Sequence, residues 1–105
     1  HSMLREFRHL LLVHLNSEER SGVFESAANR APQCARRIEL LQGEHEALRR
    51  TATALASGPG PQGVAADWTG FRAHFVAFRE TLEAHEQAEN DILQTAYLDD
   101  LGGRG

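Results

Sequence analysis

Three stretches of this chain space their apolar residues in alternating steps of three and four, and every stripe also carries an ionisable side chain. Leu4, Phe7, Leu11, His14 and Glu18 make the first stripe. Ile38, Leu41, His45, Leu48, Ala52 and Leu55 make the second, and Phe71, Phe75, Phe78, Leu82, His85, Glu89, Ile92 and Ala96 the third. Such spacing is the seam of a helix packed against other helices. No run alternates with the period of a strand, and valine and isoleucine are few, so no strand is expected. The expected fold is all-α: an up-down antiparallel bundle with three long helices, forming one domain over residues 1–105.

The breakers set the boundaries. "NRAP" at 29–32 reads as a turn and "SGPGPQG" at 57–63 as a loop, which gives helices over 3–29, 32–57 and 67–101. Asp67 or Thr69 is suited to cap the third helix, and the terminal "GGRG" follows its end. Residues 1–2 read as a tag remnant before a start methionine, which leaves His1 outside the functional reading.

A helix–turn–helix of this kind makes its first two helices antiparallel neighbours. His14 lies about 15 residues before the first turn and His45 about 15 after it, so at ~1.5 Å per residue they share a level. His85 sits further from the second loop than His45 does, by roughly 9 Å, and the loop has to absorb that difference.

A buried ionised glutamate is costly unless it is paired or metal-bound. Histidines and carboxylates converging from several helices are how di-iron and related sites are built. Imidazole nitrogen and carboxylate oxygen suit iron, manganese or zinc. At i, i+4 the two side chains of a pair share one helix face. His14 and His85 are thus candidate terminal ligands, with Glu18 and Glu89 as candidate bridges. A lone pair of this spacing is usually a surface pair, and a lone core histidine such as His45 is usually structural. Two pairs and a third histidine, all on counted seams, point to a metal. The phenylalanine stripe reads as core, and His9 and His74 as boundary histidines. Glu44 and Glu46, flanking His45, point off the seam and read as solvated, with support of a ligand from behind as the lesser alternative.

"LLVHLNSEE" (11–19) and "LEAHEQAEN" (82–90) resemble the repeated His-x-x-x-Glu helices of the hemerythrin-like cation-binding domains, and "LLQGEHEALRRTATAL" (40–55) resembles the helix between them. The likeness covers about residues 3–98. It implies a non-haem di-iron site with His14, His45 and His85 as terminal ligands and Glu18 and Glu89 as bridges. The family's first helix, with one more histidine, has no counterpart here. Arg49 stands where oxygen-carrying members have a second histidine, and Asn90 where a second acid often lies.

The expected function is therefore a metal-binding module that binds or senses O₂ or NO, or holds iron. The alternative is a helical interaction or oligomerisation module with a degenerate site. An enzyme is not expected, because no separate catalytic base or substrate pocket is legible; a di-iron oxidase or peroxidase is the weaker third option. A net charge of −4 argues against nucleic acid or an anionic membrane as partner. No apolar run reaches the ~18–20 residues of a membrane span. The single cysteine, Cys34, fits a reducing cytoplasm. Three helices leave one side of a four-helix core uncovered, so a homodimer or higher homo-oligomer is expected.

Overall fold

The computed structural model describes residues 2–99. His1, the end of the third expected helix at Leu101 and the terminal glycines lie outside the described residues. Helix α1 is Ser2–Ser21, α2 is Val23–Arg30, α3 is Ala35–Leu55 and α4 is Trp68–Leu93. A 3-10 turn, Pro32–Cys34, leads into α3, and a π-helical turn, Gln94–Asp99, continues α4. There is no strand among the described residues.

The first expected helix is in fact two. Gly22 separates α1 from α2 with a left-handed backbone, φ 71 and ψ 12. An L side chain there would cost roughly 1–2 kcal/mol, so the residue type itself marks the break. Ser21 bridges it: its hydroxyl donates to the Glu18 carbonyl at 2.9 Å and accepts from the Val23 amide at 3.2 Å. The kink turns Phe24 and Ala27 inward, where both are buried. At the next boundary Pro32 occupies the start of the 3-10 turn, where its missing N–H costs nothing. Asp67 caps α4, its carboxylate accepting from the Gly70 amide at 2.9 Å.

The loop after α3 resolves the expected mismatch in level. Ten residues separate His45 from the end of α3, against 17 from the start of α4 to His85. That makes ~15 Å against ~25 Å of helix. Residues 56–67 cover the difference, with Val64 packed on the core below. The loop is tight: a Cβ on Gly63 would stand 1.8 Å from the Gly58 carbonyl oxygen. The outcome is that the His45 and His85 rings lie 5.1 Å apart, centre to centre.

Two apolar clusters sandwich that level. One holds Phe24, Ala27, Cys34, Ile38, Leu41 and Ile92. The other holds Leu11, Leu15, Leu48, Leu55, Phe71 and Phe78. All six residues counted on the second stripe are buried, as are six of the eight on the third; Phe75 and Leu82 are half-buried. The first stripe is displaced. Leu15, which the sequence count omitted, is fully buried, while His14 has drifted to the edge. The face of α1 that meets α3 centres on Leu11 and Leu15, and His14 lies ~100° around the helix from Leu15. Burying a leucine in this way contributes roughly 1.5–3 kcal/mol.

Candidate metal centre

Each side chain of the polar layer comes from a different place in the chain. Glu18 lies near the end of α1, His45 in the middle of α3, and His85 and Glu89 one turn apart on α4. The apolar clusters above and below exclude water from the layer: His45, His85 and Glu89 are buried and Glu18 is half-buried. One ligand atom from each of Glu18, His45, His85 and Glu89 lies within 4.8 Å of all the others.

One contact within the layer is a hydrogen bond and two are longer. His85 Nε2 is 3.0 Å from Glu89 Oε2. His45 Nε2 faces two carboxylates, Glu18 Oε1 and Glu89 Oε2, each at 3.5 Å. His14 does not enter the four-residue cluster. Its Nε2 lies 2.9 Å from Glu18 Oε2, on the side away from His45, and its side chain is 49% exposed. Of the five candidate ligands, the structure thus gathers four directly and attaches the fifth through Glu18.

Two carboxylates in one dry layer cannot both hold full charge comfortably. Burial, then a hydrogen bond and charge repulsion from Glu89, pushes the Glu18 carboxyl up to about 7. Glu89 moves the other way. Burial would raise it, but hydrogen bonds from His85 and Glu18 outweigh that and hold it below the usual carboxylate range. Glu18 is therefore the carboxyl of the two that more readily keeps a proton, and Glu89 the one held ionised. For His85 burial opposes the charged form, yet hydrogen bonds to Glu89 and Glu44 overcome it and raise the imidazole to about 9.

The far sides of the two rings are also held. His45 Nδ1 is 2.7 Å from Glu19 Oε2, and His85 Nδ1 is 2.7 Å from Glu44 Oε1. Glu44 is thus not merely solvated, as its position off the seam suggested. It leans from α3 onto the neighbouring helix while remaining half exposed. Arg49 bonds Glu19 Oε1 at 2.8 Å and Asn16 Oδ1 at 2.8 Å. The Arg49 bond, together with that from His45, holds Glu19 below the usual carboxylate range. The adjacent acids in "SEE" and "GEHE" were the available signal, since neighbouring helix positions point ~100° apart and so reach different partners. His9 and His74 are exposed rather than at the boundary. His74 lines one end of a groove between α3 and α4 whose lining also includes Glu44 and His85.

The donor set suits a cation. Two buried atoms in the layer, Glu18 Oε1 and His45 Nε2, have no hydrogen-bond partner. Buried polar atoms are rarely left so. An ion between them would satisfy both, and neither atom would have to move far to reach it.

Fold and site together define a helical domain with a buried histidine–glutamate layer fit to hold a cation. The sequence profile of the hemerythrin HHE cation-binding domain matches residues 1–102, nearly the whole chain. The chain belongs to that family. No curated protein and no solved structure matches it significantly. No described helix is long and apolar enough to cross a membrane.

Proposed function

We propose that this chain is a non-haem iron module of the di-iron kind, binding or sensing a small ligand such as O₂ or NO, or storing iron. The observation that carries the reading is the pair of orphaned buried atoms, Glu18 Oε1 and His45 Nε2, inside a layer of two imidazoles and two carboxylates. His45 and His85 would ligate through Nε2, and Glu18 and Glu89 through carboxylate oxygens. His14, on the outer oxygen of Glu18, would serve a second ion position nearer solvent. Bound iron supplies redox chemistry and an open position for an added ligand. The protein's own part is to keep the layer dry, to aim the two Nε2 atoms inward, and to give up protons. Glu18 would lose the proton its burial favours, and His85 its ring proton at Nε2.

One observation favours a second reading, a helical interaction module with a degenerate site. The layer already satisfies part of itself, through His85 with Glu89 and His14 with Glu18. Iron analysis of anaerobically loaded protein separates the two. Near two ions per chain supports the di-iron reading, and one ion restricts it to the four-residue cluster. No retained iron after desalting leaves the interaction module.

A further inference from the structure

His45 and His85 present the same atom, Nε2, to the cluster and donate their Nδ1–H outward. Each ring is held by a carboxylate from the next helix. Glu19 of α1 holds His45 of α3, and Glu44 of α3 holds His85 of α4, both at 2.7 Å. A carboxylate on Nδ1 fixes the ring's orientation and tautomer and leaves the Nε2 lone pair for a metal.

The two holds are not equivalent. Glu19 is itself anchored, because its second oxygen accepts from Arg49 at 2.8 Å and the same guanidinium bonds Asn16 at 2.8 Å. Arg49 stands one turn beyond His45 on α3. Arg49, Glu19 and His45 therefore close a ring of contacts between α3 and α1. Arg49 is 21% exposed and Glu19 39%. Glu44 is 54% exposed, and His85 is its one hydrogen-bond or ion-pair partner among the described residues. A half-solvated carboxylate with one partner gives little positional restraint.

We propose that Glu19, anchored by Arg49, is the positioning residue that presets His45 for metal, so that the site has a rigid half at His45 and an adjustable half at His85. The inference rests on the metal-binding reading above. Arg49 thus acts on the site through Glu19 rather than by ligating.

The probe is Co(II), titrated anaerobically at fixed pH against a chromophoric chelator, with the visible spectrum reporting coordination. Glu19→Gln is expected to lower Co(II) affinity about 10- to 100-fold, the usual cost of losing such a partner. Arg49→Met should lower it in the same direction by a smaller factor, and Arg49→Lys should restore part of that loss. The double variant should bind no more weakly than Glu19→Gln alone, because Arg49 acts through Glu19. Glu44→Gln should cost less than Glu19→Gln. Circular dichroism checks that each variant is folded. If Glu19→Gln does not fold, the Arg49→Met and Arg49→Lys pair decides: loss and partial rescue support the proposal, and unchanged affinity overturns it. Affinity within twofold of wild type for Glu19→Gln overturns it, as does a fully additive double variant or a larger cost for Glu44→Gln. These results leave the metal reading standing. Wild-type protein that binds no Co(II) fails at the earlier step and removes both.

Discussion

Metal binding to this layer must displace protons, and the structure sets how steeply that competition depends on pH. Glu18 titrates at about 7 and His85 at about 9. Both must be deprotonated to ligate. Between pH 6 and pH 8 the free fraction of Glu18 rises from about one in eleven to about ten in eleven. That of His85 rises from about one in a thousand to about one in eleven. Together they strengthen apparent affinity roughly a thousandfold, about 4 kcal/mol. An imidazole and a carboxylate at their ordinary values of 6.5 and 4.5 would gain only about fourfold over the same range.

The sign for the metal-free protein is the opposite. Both groups have folded-state values raised above the unfolded ones. Their contribution to stability is full below 4.5 for Glu18 and below 6.5 for His85. It is lost as pH rises through about 7 and then about 9. Alkaline conditions therefore loosen the apo layer and tighten the loaded one. Competitive Fe(II) titration under anaerobic conditions at pH 6, 7 and 8 measures the slope. Calorimetry in buffers of different ionisation enthalpy counts the protons, expected at about 1.5 released per binding event at pH 7. An affinity that changes less than tenfold from pH 6 to pH 8, with fewer than about half a proton released at pH 7, would refute the raised Glu18 and His85.

Four further outcomes are expected. His14→Ala should retain at least half the bound iron that His45→Ala loses, because His14 is half exposed and touches the cluster only through Glu18; equal losses by elemental analysis would contradict this. Leu15→Ala empties a fully buried position and should cost ~2–5 kcal/mol in denaturant unfolding; a loss below 1 kcal/mol would mean that α1 is not packed as described. Asp67→Ala removes the bond to the Gly70 amide and should cost ~1 kcal/mol, while Asp67→Asn should cost less. Self-association is expected from the exposed apolar side chains Met3 at 83% and Leu10 at 58%, on a molecule 56 Å long and 23 Å wide; light scattering at micromolar concentration showing a monodisperse 11.6 kDa monomer would refute it.

Helix type, the two main turns and the four side chains that meet in the polar layer were legible because they follow from local chemistry. Alternating steps of three and four recorded which face each helix buries, and Pro and Gly recorded where the chain must turn. The buried stripes of α3 and α4 agree with that count because both helices are flanked by packed neighbours and leave little choice of face. Other features depended on where neighbouring helices lie, which no single stripe contains. Rotation of α1 about its axis placed Leu15 inward and His14 at the rim, since a helix with an uncovered flank has more than one face it can bury. The break at Gly22 needed the backbone, because glycine within a helical pattern marks a possible bend but not its direction. Glu44 and Glu19 became partners of His85 and His45 only through helix packing, which brings residues 41 and 26 positions apart within 2.7 Å. Chain spacing encodes which side chains share a helix face; the raised Glu18, the orphaned His45 nitrogen and the two held rings arise between helices, where only the assembled bundle sets distance and burial.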